Sequence, residues 1–167
     1  SIGWLFHNKL DQRRLYQEIM KAGKDEGIIN FGMRALLCMR LEKNFPTWYR
    51  ELRPIYGGFE AGMDRFIDLT KNDFIGREAA MEEKRSGGKL RRVSMIVEAG
   101  DADVLGDEPV SHKGKVVGWV TSGGFAHFVN KSMAQGFVPK ELPDDLGNGA
   151  FETAIIGAQR KATITVP

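Results

Sequence analysis

The second half of the chain constrains the fold most, because its apolar residues alternate with polar ones as β-strands require. Val93, Met95 and Val97 fall on one side of an extended segment, and Ser94 and Ile96 fall on the other. This two-residue period recurs from about residue 89 onward, with glycine turns between the runs. The pattern predicts that this half is built from β-strands.

Two hairpin turns divide this half into short strands. Lys113-Gly114 and Gly157 are each flanked by strand-like runs, which is typical of tight turns between antiparallel strands. About six strands in roughly 80 residues fit a small antiparallel barrel or sandwich, and closure into a barrel leaves no open edge. The strands are expected at residues 93–97, 108–112, 115–121, 132–138, 151–156 and 160–166.

The first half, up to about residue 86, instead has apolar residues at helical spacing. This spacing predicts a first helix that ends at Gly23 and a second helix that ends before Pro46. A third helix is expected to begin with Asn72 or Asp73 as its cap and to end near Arg85. The first half is therefore expected to be mainly helical.

Two short strands are also expected in the helical half, at residues 28–29 and 65–69. The chain is then an α+β protein whose elements change type near residue 87. We predict an α+β domain at residues 1–87 and a β-barrel domain at residues 88–167.

Composition excludes several classes of protein. The chain has 167 residues, with 24 Lys plus Arg against 22 Asp plus Glu, and a net charge of +2 gives little support to a nucleic-acid partner. The single cysteine, Cys38, excludes an intrachain disulfide and a cysteine zinc site. No run approaches the ~20 apolar residues of a membrane helix. We expect a globular protein without nucleic-acid or membrane partners.

The motifs that bind metals or phosphates are incomplete. In the acidic loop that starts at Asp101, Gly106 is in the sixth position of a calcium loop, but His112 occupies the twelfth, where a Glu is required. The three histidines do not pair at metal-binding spacing, and the glycine pairs do not match a dinucleotide or P-loop pattern. The sequence predicts no metal site and no flavin site in this chain.

Arg40 is the residue that most needs an explanation. It follows Met33, Leu36 and Leu37 on one helical stripe, and burying an unpaired guanidinium costs several kcal/mol. It must therefore meet an internal carboxylate, for example Glu60, a carbonyl, or an anionic ligand. A forked guanidinium suits a planar ligand and a carboxylate equally well.

Four blocks of sequence, in order and over nearly the whole chain, resemble motifs of the glycine cleavage T-protein (aminomethyltransferase) family. A further stretch, residues 106–109 with residues 118–119, resembles members fused to dehydrogenases, such as dimethylglycine and sarcosine dehydrogenases. The four blocks are RLEK at 40–43, FEAG at 59–62, NDFIGREA at 72–79, and VTSGG at 120–124 with KS at 131–132 and GFVP at 136–139.

The resemblance implies a fold and a reaction. Three domains of this family surround a cavity for tetrahydrofolate, and this chain would supply part of the middle α+β domain and a C-terminal six-stranded antiparallel β-barrel. The family passes a one-carbon unit from an aminomethyl or iminium donor to folate. The implied partners are folate, a small methylated amine and a flavin-dependent dehydrogenase domain or subunit, with FAD held outside this chain. The implied location is cytoplasmic, or the mitochondrial matrix in a eukaryote.

The resemblance also implies site residues and departures. Arg40, Glu60 and Trp119 match family positions and are the candidate cofactor-binding residues, with a structural carboxylate and a packed indole as the alternatives for the last two. The family usually has a Glu that contacts the pterin where this chain has Leu5. The family's key aspartate belongs to an N-terminal domain that no part of this chain is expected to match.

These departures leave two functions open. The chain is expected to be part of a folate-dependent one-carbon transferase and to be inactive by itself, without catalytic residues of its own. The alternative is a non-catalytic folate-binding or scaffold relative. The iron–sulfur-maintenance type of relative is disfavoured, because its cysteine motif is replaced by residues 72–78.

Overall fold

The computed structural model describes residues 11–143 and 150–165, in two compact units formed by residues 1–33 and 34–167. In the first unit, α1 spans Gln12–Ala22 and ends as expected at Gly23, whose N–H donates to the carbonyl of Ile19. The side chain of Ile28 lies so close to Gly23 that a Cβ there would be 2.8 Å from it. Glycine therefore lets the chain turn back tightly at the end of α1.

Two further helices belong mainly to the second unit. Helix α2 spans Met33–Glu42, which confirms the predicted second helix, and α3 spans Arg77–Ser86. Gly76 precedes α3 in the left-handed conformation, with φ of 85°. The expected cap at Asn72 or Asp73 was wrong, because the backbone turns at Gly76 and only then becomes helical.

Neither of the two short strands expected in the first half forms. Residues 28–29 have no regular secondary structure and no strand partner among the described residues, and the side chain of Ile29 is 78% exposed. Asp64–Phe66 form a 3-10 turn whose N–H groups bond to carbonyls three residues earlier. The apolar pair at 28–29 and the alternation at 65–69 therefore misled the prediction, since a strand also needs a neighbour to pair with.

The second half is a closed six-stranded antiparallel barrel, as predicted. The strands are ordered β1-β4-β3-β2-β5-β6, and β6 pairs back onto β1. Both predicted hairpins form, with Lys113, Gly114 and Gly157 at positive φ in the turns. The strands are β1 Leu90–Val97, β2 Pro109–His112, β3 Lys115–Ala126, β4 Lys131–Pro139, β5 Phe151–Ile155 and β6 Ala158–Thr165.

The two faces of the barrel wall pack against different groups. Inward side chains from the strands, among them Val93, Met95 and Val97, form the barrel core, as their spacing predicted. The outer face of the same strands carries Ile96, which packs against a cluster that includes Leu41 of α2. The outside of the barrel thus supports α2, and this arrangement brings Arg40 next to the barrel strands.

A second contact on the outer face involves aromatic residues. Tyr56 and Ala61, from the segment between α2 and α3, are buried with Phe137 of β4, and Trp119 of β3 packs against them.

Within the described residues, no helix is both long and apolar enough to cross a membrane.

Candidate functional site

Arg40 lies against the barrel and its partner is Glu51. Its Nη1 donates to Oε2 of Glu51, Oε1 of Gln135 and the carbonyl of Phe45, each at 3.1 Å. The side chain is only 11% exposed. An internal ion pair was one of the expected solutions, but the suggested partner Glu60 was wrong, because the carboxylate of Glu51 occupies this place.

The guanidinium of Arg40 is used on one side only. Of its five N–H donors, two belong to Nη1 and three belong to Nε and Nη2. Nε is buried, and no described residue accepts its proton. The contacts of Arg40 to described residues all go through Nη1. The Nε–Nη2 edge is the edge that usually grips a carboxylate or another planar acceptor in two parallel bonds.

Glu51 is fully buried and holds its position through three elements. Its Oε2 accepts the N–H of Thr47 at 2.8 Å and the Thr47 hydroxyl at 3.0 Å, in addition to Arg40. Its Oε1 accepts the hydroxyl of Ser122 on β3 at 2.5 Å. Burial by itself raises the pKa of Glu51, but the hydrogen bonds from Ser122 and Thr47 and the charge of Arg40 lower the pKa below its ordinary value. The side chain is therefore a carboxylate at neutral pH.

The network continues from Arg40 to a second arginine. The amide of Gln135, a fully buried side chain on β4, donates to Oδ1 of Asn44 at 3.1 Å. The same oxygen accepts Nη1 of Arg92 at 2.7 Å and the hydroxyl of Ser94 at 2.8 Å. Burial lowers the pKa of Arg92, and the charge of Glu51 opposes that shift.

The charges of this buried polar network do not cancel. Among the described residues it contains the guanidinium groups of Arg40 and Arg92 but one carboxylate, Glu51. A partly desolvated network with an excess positive charge favours an acceptor-rich or anionic group nearby. The arrangement can therefore bind a ligand that presents carbonyl, ring-nitrogen or carboxylate acceptors.

Glu60 ties two segments of backbone together. Its carboxylate accepts the N–H groups of Gly57 at 3.1 Å, Lys89 at 2.6 Å and Leu90 at 3.0 Å. Burial tends to raise the pKa of Glu60, but these backbone hydrogen bonds outweigh it and lower the pKa. These contacts join the turn before Glu60 to the start of β1, which is the structural alternative that the sequence left open.

Trp119 has an internal partner as well. Its Nε1 donates to the hydroxyl of Tyr56 at 2.9 Å, and the ring of Tyr56 stacks on Phe137 with centroids 3.7 Å apart. An indole that is half-buried with its N–H satisfied packs well without any ligand.

In the described part of the chain, neither a direct contact nor either of two surface grooves joins the three candidate residues. No hydrogen bond or ion pair among the described residues joins Arg40, Glu60 and Trp119. A groove of about 700 Å³ at one end of the barrel is lined by residues 96–103 together with Phe125, Lys131, Ser132 and Thr163, and a second of about 560 Å³ by residues within 72–79. Neither groove includes any of the three.

The remaining sequence expectations can also be located. Within residues 11–143 and 150–165 no group of three acidic, cysteine or histidine side chains is placed to hold a metal. Asp101 of the acidic loop pairs with Arg160, and Cys38 is half-buried. The departure at Leu5 lies outside the described residues.

Glu51 and Gln135 are the site residues that sequence reasoning missed. Gln135 is 95 positions from Arg40 along the chain, and its place in a strand gives no sign of its contact. Glu51 is 11 positions from Arg40. Its only signal is that it is an acidic residue within reach of the end of α2, which many exposed acids share.

Two family models match the chain. Residues 3–71 match the model described as the GCVT N-terminal domain, and residues 91–167 match the glycine cleavage T-protein C-terminal barrel domain. The first match corrects the expectation that no part of this chain would resemble the N-terminal domain.

Similar proteins include dehydrogenases and aminomethyltransferases. Dimethylglycine dehydrogenase, mitochondrial, of Rattus norvegicus is 42% identical over 166 residues, which are 98% of this chain and 19% of that protein. Sarcosine dehydrogenase, mitochondrial, of Mus musculus is 33% identical over 98% of this chain and 18% of that protein. An aminomethyltransferase of Desulfitobacterium hafniense is 34% identical over 77% of this chain and 35% of its own length. The chain thus spans about a fifth of the dehydrogenases.

A solved structure has the same fold. The glycine cleavage system aminomethyltransferase T from Bartonella henselae superposes with a TM-score of 0.79 over 93% of this chain and 42% of that one. The two sequences are 20% identical, so this similarity supports the fold and not a particular activity.

Proposed function

Because this chain belongs to the glycine cleavage T-protein (aminomethyltransferase) family, we propose that it is the C-terminal portion of a tetrahydrofolate-dependent one-carbon transferase. Of the relatives reported above, the two dehydrogenases match 98% of the chain and the aminomethyltransferase 77%. We therefore place it in a protein like dimethylglycine or sarcosine dehydrogenase. The two dehydrogenases are named as mitochondrial, which makes the mitochondrial matrix the proposed location in a eukaryote.

The observation that carries this proposal is that Arg40 donates hydrogen bonds to described residues through Nη1 alone. Its Nη1 is held by Glu51 and Gln135, whereas its buried Nε has no acceptor among the described residues. A pterin ring presents planar acceptors that suit such an edge. The excess positive charge of the same buried polar network favours an acceptor-rich group such as the pterin carbonyl.

The other two candidates have weaker support. Glu60 and Trp119 match family positions, but each already has internal partners that account for its placement. We propose them only as residues at the margin of the folate site. No catalytic residue is proposed in this chain.

Tetrahydrofolate, when bound, supplies the nitrogen atoms that accept the one-carbon unit. The residues of this chain would bind and orient it, with Arg40 fixing the polar edge of the ring. The oxidation that prepares the donor is proposed to occur on FAD in a separate dehydrogenase domain. We further propose that residues 1–87 contribute to the folate cavity and that residues 88–167 support it as a barrel.

The proposal is tested by Arg40→Lys in the full-length protein that carries this chain. Lysine keeps a positive charge for Glu51 but lacks the Nε–Nη2 edge. Calorimetry with tetrahydrofolate should give an affinity at least about tenfold lower, which corresponds to about 1.4 kcal/mol, with little change in melting temperature.

The matched control is Arg50→Lys, because Arg50 also pairs with a carboxylate, Asp107, at 2.9 Å. This variant should leave folate affinity unchanged. If Arg40→Lys binds folate as tightly as the wild type, Arg40 is an internal ion-pair residue and the folate assignment loses its main support.

A second candidate function is a non-catalytic folate-binding or scaffold role. It is favoured by one observation, namely that Glu60 and Trp119 are satisfied inside the chain. Measurable folate binding without one-carbon transfer in the full-length protein would support the folate-binding form, and absence of binding would support the scaffold form.

A further inference from the structure

The carboxylate of Glu51 determines which edge of Arg40 is left for a ligand. Glu51 Oε2 and Gln135 Oε1 both accept from Nη1 of Arg40 at 3.1 Å. All three acceptors of Arg40, from Glu51, Gln135 and the carbonyl of Phe45, lie at Nη1, and its Nε and Nη2 donate to no described residue. The orientation of the Nε–Nη2 edge therefore depends in part on where Glu51 is held.

Glu51 is itself held by groups other than Arg40. Thr47 contributes a backbone and a side-chain bond from the segment after α2, and Ser122 contributes a bond from β3. The side chain is fully buried. Because the carboxylate is fixed from both sides, it cannot follow Arg40 if the arginine moves, and it instead fixes the arginine.

We propose that Glu51 is a positioning residue for ligand binding, which acts through Arg40 and does not touch the ligand. This inference rests on the proposed function, in which Arg40 contacts a folate-like ligand with planar acceptors. Glu51 presents the Nε–Nη2 edge of Arg40 in the orientation that two parallel hydrogen bonds require.

The experiment is a double-mutant cycle in the full-length protein with tetrahydrofolate as the probe. Glu51→Gln keeps the shape and one acceptor of the side chain but removes its charge. The affinity of this variant for tetrahydrofolate should fall about fivefold or more, which is the size of coupling expected between two residues in direct contact, here Glu51 and Arg40. In the Arg40→Lys background, the same Glu51→Gln substitution should cause no further loss, because the edge that Glu51 orients is already absent.

Two additional variants serve as a backup and as a control for this experiment. Ser122→Ala removes the bond to Oε1 of Glu51 without changing any charge, and should show a smaller loss with the same dependence on Arg40. It decides the question if Glu51→Gln fails to fold. Glu108→Gln is the control, because that carboxylate is also held by hydrogen bonds, from the N–H groups of Leu105 and Gly106, but does not contact Arg40. Its affinity should equal that of the wild type.

The outcomes separate this proposal from the proposed function. If Arg40→Lys weakens binding but Glu51→Gln and Ser122→Ala do not, the positioning role is wrong and the folate assignment stands. An equal loss from Glu51→Gln in both backgrounds also contradicts positioning through Arg40. If Arg40→Lys leaves affinity unchanged, the assignment of Arg40 to the folate site fails, and the role of Glu51 fails with it.

Discussion

At the scale of single residues, the buried polar network depends on Glu51, whose carboxylate pairs with Arg40 and whose charge also acts on Arg92. Removing one member of a buried ion pair leaves the other charge without compensation, which costs about 3–5 kcal/mol. Glu51 thus contributes to the stability of the fold in addition to its proposed effect on ligand binding, and the two contributions require different measurements.

The pH dependence of stability measures the contribution of Glu51 to the unfolding free energy. The folded protein lowers the pKa of Glu51 below its ordinary value of 4.5, so its contribution is fully present above about pH 4.5 and is lost as the pH falls through the folded pKa. In urea unfolding, the difference in unfolding free energy between wild type and Glu51→Gln should be largest at neutral pH and should shrink in acid.

The control for this measurement is Glu82→Gln, since Glu82 is 58% exposed in its pair with Arg85. Its difference from the wild type should stay small at every pH. A difference for Glu51→Gln that is constant from neutral pH into acid would contradict the ionised, ion-paired state of Glu51.

Trp119 offers a second test at this scale. Trp119→Phe removes the hydrogen bond from Nε1 to the hydroxyl of Tyr56, and we expect a loss of about 1 kcal/mol in the unfolding free energy measured with urea. Tyr56→Phe removes the same bond, so the double variant should lose less than the sum of the two single losses. Unchanged stability with weaker folate binding would instead make Trp119 a ligand contact.

At the scale of elements, the close approach of β3 and β4 sets the geometry of the barrel wall behind Arg40. A Cβ at Gly118 would lie 1.9 Å from the carbonyl oxygen of Phe137, and one at Gly136 would lie 2.4 Å from that of Trp119. Both obstacles are backbone atoms, which cannot swing aside as side chains do. Glycine at these positions lets the two strands remain paired.

Gly118→Ala should therefore destabilise the protein by about 3 kcal/mol or more, because the added methyl group must separate paired strands. Thermal unfolding measures the effect. Gly32→Ala is the control, since no atom lies within 4 Å of the added Cβ and Gly32 is not in the left-handed conformation. A loss for Gly118→Ala no greater than for Gly32→Ala would contradict the β3–β4 geometry.

The elements also indicate how far the sequence could predict this fold. The barrel strands followed from two-residue alternation between glycine turns, because that pattern has one simple explanation when six runs recur. The strand expected at residues 65–69 and the cap expected at Asn72 or Asp73 failed. Both depend on local backbone events, a 3-10 turn and a left-handed Gly76, that leave little trace in the apolar pattern. The contact of Arg40 with Gln135 was beyond prediction, because 95 positions separate them.

At the scale of the whole molecule, the chain corresponds to 42% of the solved aminomethyltransferase and about a fifth of the dehydrogenases. In the proposed function, the wall of the folate cavity opposite Arg40 comes from residues outside this sequence. The division at residue 87 remains a prediction about how this part is organised.

The 167-residue chain by itself should therefore bind tetrahydrofolate at least about tenfold more weakly than the full-length protein does, because the missing wall contributes contacts. Calorimetry on both proteins under the same conditions measures the difference. Equal affinity of the two would mean that this chain contains a complete site.

The central claim is that the full-length protein moves a one-carbon unit onto folate. The most direct measurement follows the carbon of an isotopically labelled methyl group of dimethylglycine or sarcosine during turnover with tetrahydrofolate. The account predicts that the label is recovered in methylene-tetrahydrofolate, and that Arg40→Lys diverts it to free formaldehyde. Release of all the label as formaldehyde by the wild type, whether or not tetrahydrofolate is present, would contradict the account.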